Sequence, residues 1–297
     1  MKIALISYQV QEKYTLGIAK DEDSLLLDFL GRKGLDVERV IWNDPTVNWT
    51  DFQIAVLKSP WDYHENMKDF LRWLDLLLHL DIRLLNPDPL IRWNSDKHYL
   101  KEIAAAGFKT IPSLFLEKGE QPDFIALFEK LGTETIIVKP CISAGAKNTI
   151  KIHKQELSEK KDVVLNLLKR ESFLVQPFME EVLTGEWSYL FFNGKFSHSL
   201  LKTPGKDDFR VQHYHGGSIK PVTSASEHIE AAAAYVEHFA KNALYARVDG
   251  LIHKGELYLM ELELIEPYLF LDTQNDAYEH YYQALTQLIG PCENKSA

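Results

Sequence analysis

The sequence predicts an α/β protein. Its N-terminal part reads as a parallel sheet covered by helices, and its C-terminal part as α+β. Three observations carry this. In the first ninety residues, short apolar runs alternate with segments of helical period, the pattern of strands joined by crossover helices. Asn193-Gly194 stands between two β-rich runs, a strong short-range signal for an antiparallel hairpin. The 297 residues, 45% apolar and 26% charged, suffice for about two domains, with one or three open, and need no disulfide staples.

Taken in order, Lys2–Ser7 is a short apolar run that suits a buried strand. Ser24–Gly34 has Leu26, Phe29 and Leu30 at helical spacing and a glycine stop. Val37–Ile41 and Gln53–Leu57 are strands, Asn66–Leu80 is a leucine-rich helix, and Arg83–Leu85 is a last short strand. Asn86-Pro87-Asp88-Pro89 is expected to break any helix and to end a first domain near residue 90. Ligands of parallel sheets sit beyond the carboxyl ends of the strands, which points to 9–23 and 59–64.

Beyond residue 90 the pattern changes. Helices are expected over Asp96–Ala106, Asp123–Leu131, Gln155–Lys169, Glu227–Leu244 and Asp276–Ile289. Strands are expected over Ile111–Leu116, Thr135–Pro140, Phe173–Phe178, Glu186–Phe192, Lys195–Leu201, Arg247–Ile252 and Glu256–Leu264. Residues 291–297 read as a frayed tail.

Charge and cysteine usage exclude several classes. A net charge of -10 argues against general nucleic-acid binding. Two cysteines, Cys141 and Cys292, make no disulfide framework, and no C-x-x-C pair suggests a zinc site. No run of 18 apolar residues predicts a membrane span, and the first residues read as a strand rather than a leader. A reduced cytoplasmic protein is expected.

The stretch Tyr258–Pro267 is apolar enough for a buried strand yet carries Glu261, Glu263 and Glu266. With period two, Glu261 and Glu263 share a face, about 7 Å apart, together with Leu257 and Leu259. Sheltered carboxylates repel and are costly to bury, and a divalent cation compensates them with Asp249 as a third ligand. The alternative is an edge strand whose glutamates face water.

Three further stretches each admit two readings. Lys139 ends a buried strand and precedes the small-residue loop Ser143–Thr149, which includes Gly145: a phosphate cradle, or a turn with a solvated Lys147. Phe173–Met179, with Gln176 and Phe178, is an adenine slot or a plain core strand. Arg210 suits a clamp for an oxyanion, and His213 and His215 read as a metal pair or, for want of a third ligand nearby, as loop histidines, the favoured reading.

In this order and spacing the elements resemble the ATP-grasp superfamily, in its glutathione-synthetase-like and ribosomal-protein glutamate-ligase-like branch. The resemblance rests on Asp96-Lys97, Ile137-Val-Lys139-Pro, Val175-Gln-Pro-Phe178, Gly185-Glu186, Asp208-Phe-Arg210, Gly216-Gly217, Val248-Asp249 and Glu261-x-Glu263. More narrowly, Lys139-Pro-Cys-Ile-Ser-Ala-Gly-Ala, Gly185-Glu-Trp-Ser and Trp61-Asp62-Tyr63 look like cycloserine-forming cyclo-ligases and their relatives.

The resemblance implies three parts, residues 1–90, 91–180 and 181–297, with an ATP-grasp fold after a parallel-sheet domain. It implies ATP and Mg2+ as cofactors. Lys97 and Lys139 would contact phosphates under a lid at 143–149. Gln176 and the Phe178 backbone would hold adenine, and Glu186 the ribose. Lys202, Arg210 and Gln212 would face the terminal phosphate, and Asp249, Glu261 and Glu263 the metal. Trp61, Asp62, Tyr63 and Glu266 are expected near the substrate. Glu263 stands where the family often has Asn, Ser188 where Arg is common, and Gln212 where Asn is frequent.

One geometric difficulty follows. With a two-residue turn at Asn193-Gly194, Lys202 falls on the face of Trp187 and Tyr189, opposite Glu186. A bulge near Gly185 would reconcile them. The activity the resemblance implies is ligation of a small carboxylate, activated as an acyl phosphate, to an amine. The alternatives are intramolecular ring closure and a nucleotide-binding module without catalysis. Dimers are common in the family, which leaves a homodimer open without deciding the oligomeric state.

Overall fold

The apolar runs of the first ninety residues form a wholly parallel sheet in the order β2-β1-β3-β4. Its strands are β1 (Lys2–Ser7), β2 (Asp36–Ile41), β3 (Ile54–Ser59) and β4 (Arg83–Leu85). β3 is buried at every position, so it reads as a continuous run rather than an alternating one. Helix α1 (Glu22–Arg32) starts at Asp21, whose carboxylate accepts the Ser24 N–H. Helix α2 (Met67–His79) buries Phe70, Trp73, Leu74 and Leu77. This computed structural model describes residues 1–9, 21–145, 147–205, 208–211 and 216–290. Gln212, His213, His215 and the expected tail at 291–297 lie outside them.

The two prolines behave differently from expectation. Pro87 is the N-cap of helix α3 (Asp88–Asn94), and Pro89 sits in its first turn, where a missing N–H costs nothing. The helix therefore runs across residue 90. Helix α4 (Tyr99–Ala105) follows as a separate element.

The central sheet is antiparallel, in the order β5-β8-β6-β7. It comprises β5 (Leu114–Leu116), β6 (Thr135–Pro140), β7 (Ile150–His153) and β8 (Phe173–Pro177). Helices α5 (Phe124–Leu131) and α6 (Leu157–Leu168) pack on it around Ile136, Val138 and Phe173. The strand β7 was not foreseen, because a four-residue edge beside a polar loop carries little signal.

The last sheet, in the order β11-β10-β9-β12-β13, is antiparallel throughout. It holds β9 (Glu186–Phe192), β10 (Lys195–Thr203), β11 (Ser218–Pro221), β12 (Tyr245–His253) and β13 (Glu256–Glu263). Asn193 and Gly194 both take positive φ, 46° and 75°, as a two-residue hairpin turn requires. Helix α7 (Ser226–Phe239) covers one face, and α8 (Ala277–Ile289) packs between this sheet and the first domain.

The first and last parts share one core. Ile3, Leu5 and Leu26 pack in one cluster with Leu190, Phe192 and Tyr281. Two buried asparagines pin the end of β13. Asn86 Nδ2 donates to the Leu264 carbonyl at 2.7 Å, and Asn94 Nδ2 to the Leu262 carbonyl at 2.7 Å. Thus the strand carrying Glu261 and Glu263 is held in place from the N-terminal side. No helix of the described residues is long and apolar enough to cross a membrane.

Candidate active site

Two bulges decide which side chains meet. In β10, Phe196 pairs with Phe191 but His198 pairs with Leu190, so Ser197 is an extra residue. It inverts the alternation that follows and sets Lys202 directly opposite Glu186. The reconciling bulge thus exists, but at Ser197 rather than near Gly185. In β13, Glu261 pairs with Asp249 and Leu259 with Gly250, which leaves Met260 extra. A Cβ on Gly250 would lie 2.5 Å from the Tyr258 carbonyl oxygen, so only glycine admits this second bulge.

The second bulge overturns one expectation. Leu257 and Leu259 do not share the face of the acids. They point with Leu262 and Leu264 into the core under α7, while Met260, Glu261 and Glu263 line a cavity. Of the alternative, the edge position holds, since β13 ends its sheet, but the glutamates line the cavity instead of facing open water.

The cavity, about 830 Å³, lies between the central and C-terminal sheets and reaches the first domain. Its middle is ionic. Lys202 Nζ lies 2.5 Å from Glu186 Oε1 and 3.1 Å from Asp249 Oδ2. Lys97 Nζ lies 2.9 Å from Glu261 Oε1 and donates to the Ser143 carbonyl at 3.0 Å. Arg247 bridges Asp249, at 2.9 Å, and Glu263. Ser188 Oγ donates to Asp249 at 2.5 Å.

These charges shift one another. Burial lowers the Lys139 ammonium, with Glu261 opposing and Lys97 adding to the effect. Burial also works against Lys97, but Glu261, Glu266 and Glu263 together outweigh it and raise the group. Asp249 is held well below the usual carboxylate range: Arg247 and Lys202 overcome its burial. Glu263 is pushed up to about 8 by burial and by the charges of Asp249 and Glu261, against the pull of Arg247. Burial likewise raises Glu266, with Glu263 adding to it. Burial first, and the neighbouring carboxylates second, therefore hold these two carboxyls up.

One end of the cavity is apolar. Ile111, Val182, Val211 and Leu251 cluster there with Phe178, Met179 and Met260. Gln176 is buried beside it and donates to Ser113 Oγ at 2.9 Å. The Phe178 N–H is committed to the Thr135 carbonyl at 2.9 Å, which leaves the Phe178 carbonyl as the backbone group for the expected adenine contact, and Phe178 lines the cavity. Arg210 lines the cavity and is oriented by Asp208, 2.7 Å from Nη2.

The opposite end meets the first domain. Trp61 Nε1 donates to the Glu266 carbonyl at 3.1 Å, and Lys147 forms an ion pair with Glu65 at 3.0 Å. The latter ties the 143–149 loop to the first domain, so Lys147 is not simply solvated. Asp62 and Tyr63, expected near the substrate, are not brought to the wall. The Asp62 carboxylate accepts Trp42 Nε1 at 2.7 Å, and Tyr63 packs on Phe70 in the first domain's core.

Thus Trp61, Lys97, Lys139, Ser143, Gly145, Gln176, Phe178, Glu186, Lys202, Arg210, Asp249, Glu261, Glu263 and Glu266 all line one cavity. Sequence reasoning missed Arg247. Its signal was available: a residue two before Asp249 on a strand shares its face.

Comparisons with known proteins identify the family and the fold. Residues 108–267, more than half the chain, match the family described as prokaryotic glutathione synthetase, ATP-grasp domain. The chain belongs to the ATP-grasp family. Residues 3–86 match the N-terminal domain of D-cycloserine synthetase DcsG. The chain is 29% identical over 282 residues to the cycloserine biosynthesis protein DcsG of Streptomyces lavendulae, covering 90% of this chain and 93% of that protein. The crystal structure of D-cycloserine synthetase DcsG superposes with a TM-score of 0.82 at 25% identity, over 98% and 100% of the two chains. D-alanine–D-alanine ligase from Bacillus anthracis shares the fold, with a TM-score of 0.75, 18% identity and coverage of 97% and 96%. As an ATP-grasp ligase, this chain is an ATP-dependent enzyme of the carboxylate–amine ligase type.

The residues present fit a hard divalent cation. Asp249, Glu261 and Glu263 offer only oxygen donors, and relieving their mutual repulsion is what such an ion supplies, although their carboxylates are not gathered within 4.8 Å of one another as they stand. Each now faces a protein cation instead. Among the described residues, Asp96, His98 and Cys141 are the trio whose ligand atoms lie within 4.8 Å of one another. There, however, Asp96 already bonds His98 Nδ1 at 2.6 Å, and burial pushes the thiol up to about 12.

Proposed function

We propose that this cavity binds ATP with Mg2+ and transfers the γ-phosphoryl group to a small carboxylate, and that an amine then displaces phosphate from the acyl phosphate. The observation that carries the reading is the ionic cluster at the cavity's centre. Lys97, Lys139, Lys202 and Arg247 there face Glu186, Asp249, Glu261 and Glu263, next to an apolar slot of the right character for a base.

The charge pattern suits an exchange. On nucleotide binding, Lys97, Lys139 and Lys202 turn from carboxylates to phosphates. Asp249, Glu261 and Glu263 would hold Mg2+, which supplies charge neutralisation at the phosphates. Glu186 takes the ribose hydroxyls, while Gln176 and Phe178 bound the adenine. Arg210 steadies the oxygens of the transferred group, held in aim by Asp208. Ser143 and Gly145 bring the loop over the phosphates and exclude water from the labile acyl phosphate. Burial of Lys139 favours this role, because Glu261 offsets that burial only in part and a phosphate would complete the compensation.

Lys139→Ala and Glu261→Ala test the assignment. Each should abolish ADP formation while circular dichroism stays unchanged; retained turnover in both would remove it. A second reading, intramolecular attack that closes a ring, is favoured by the match of residues 3–86 to the DcsG N-terminal domain. Product mass separates the two, since ring closure consumes no second substrate.

A further inference from the structure

The end of the cavity that faces the first domain holds an imidazole the phosphate machinery does not use. His64 lines the cavity beside Trp61 and Glu65, and its side chain is only 6% exposed. Neither ring nitrogen has a hydrogen-bond partner. The Trp61 carbonyl approaches the ring and a Glu65 oxygen lies 4.0 Å from Nε2, but neither meets hydrogen-bond geometry. A buried polar group left unsatisfied is costly and uncommon, which marks the His64 ring as a group that a molecule bound in the cavity would satisfy. We propose that His64 is a substrate-binding residue, which hydrogen-bonds a second polar group (amino, hydroxyl or amide) of the carboxylate substrate.

The proposal rests on the ligase reading and goes beyond it by naming the substrate's chemistry. Its basis is positional. The apolar slot lies at one end and the phosphate-facing lysines in the middle, so a small acid presented to the γ-phosphate must occupy the end where His64 lies. Burial, with Lys147 adding to it, lowers the imidazole to about 4, so at neutral pH it offers one donor and one acceptor rather than a charge. Such a group recognises an amine, hydroxyl or amide and discriminates poorly for a plain hydrocarbon end. An acid carrying both functions is the class it fits.

The test uses His64→Leu and His64→Gln in the full-length protein. Removing an unpaired buried imidazole should leave the melting temperature of the ligand-free protein equal or higher in His64→Leu. Mg2+ with a non-hydrolysable ATP analogue should raise both variants' melting temperatures as in the wild type. Phosphate release is then measured with paired acids, in both enantiomers where they exist: alanine against propionate for an amino group, serine against alanine for a hydroxyl and asparagine against leucine for an amide. The wild type should prefer the polar member. His64→Leu should raise KM for it at least tenfold and erase the preference, with KM for ATP within twofold. His64→Gln, which keeps a donor and an acceptor, should restore part of the preference. Unchanged selectivity, or a several-degree loss of melting temperature with no change in KM, would overturn the inference. Absence of phosphate release by the wild type with every acid would instead remove the ligase reading, and the inference with it.

Discussion

Lys202 stands directly opposite Glu186 because Ser197 is one residue more than the β9–β10 ladder can pair. The ammonium so placed is buried between two carboxylates, 2.5 Å from Glu186 and 3.1 Å from Asp249. Removing one partner of a buried ion pair costs about 3–5 kcal/mol, since the remaining charge stays in a poor solvent. Lys202→Met should therefore lower stability by about that amount and turnover by more than tenfold. The variant should also gain more from Mg2+ than the wild type does, because the ion replaces the lost positive charge. Melting curves with and without MgCl2 read this. An equal metal response in the two proteins would count against a metal at these acids.

The alternating pattern of the first domain was legible because β1 and β3 are continuous apolar runs and α2 carries an unmistakable stripe. The hairpin was legible from Asn193-Gly194. Of the site, Lys139, Arg210, Asp249, Glu261 and Glu263 were legible from the residues themselves, whereas Lys97, Glu186 and Lys202 came only through the resemblance to the ATP-grasp family. The bulges were not. One extra residue changes no composition and needs only local room, which Gly250 supplies by lacking a Cβ. Parity arguments that assumed regular strands therefore put Leu259 on the wrong face and left Lys202 unreconciled. Asp62 and Tyr63 were misplaced for another reason: a Trp-Asp-Tyr string looks like a binding motif, but tertiary partners Trp42 and Phe70 claim two of its three side chains.

Arg247 holds two acids at once, Asp249 and Glu263, and its Nη1 also donates to the Tyr268 carbonyl at 3.0 Å. A lysine there has charge but no planar fork, and it cannot serve three acceptors together. Arg247→Lys should cost more than tenfold in kcat/KM for ATP while retaining the fold. Arg247→Met should in addition lower stability, by about 3–5 kcal/mol, because Asp249 and Glu263 then repel without a bridging cation. Denaturant titration and steady-state kinetics on the pair distinguish geometry from charge. Identical behaviour of the two variants would show that the fork is dispensable.

Lys147 and Glu65 join the 143–149 loop to the first domain across the cavity mouth, and both side chains are partly open to solvent. An ion pair of this kind contributes little to global stability, about 0.2–1 kcal/mol. Its effect should fall on the loop instead. Glu65→Gln should leave the melting temperature within about 1–2 °C, as that energy range implies for a chain of this size. It should raise KM for ATP several-fold and raise uncoupled ATP hydrolysis, because a looser loop admits water to the acyl phosphate. A variant with unaltered coupling between phosphate release and product would refute the latch.

His198 reports how neutral histidines in this fold respond to acid. Its Nε2–H donates to the Leu269 carbonyl at 3.0 Å and its Nδ1 accepts from Ser197 Oγ at 2.9 Å, which fixes the uncharged tautomer at the bulge itself. Burial lowers the group from 6.5 to about 4, only partly offset by the Leu269 carbonyl. The unfolded chain then takes up a proton first as pH falls. Stability from this group is therefore full above about pH 6.5 and is lost progressively down to about pH 4, by at most about 3 kcal/mol. His64, lowered to about 4 as well, adds a loss of the same sign. In His198→Gln the amide keeps a donor for Leu269 but cannot titrate, while every other group is unchanged. The wild type should be the more stable at pH 7, and the gap should close or reverse by pH 4.5. Urea titrations of the two proteins at half-unit intervals measure that gap directly, and a gap independent of pH would mean that His198 is not held neutral at the bulge.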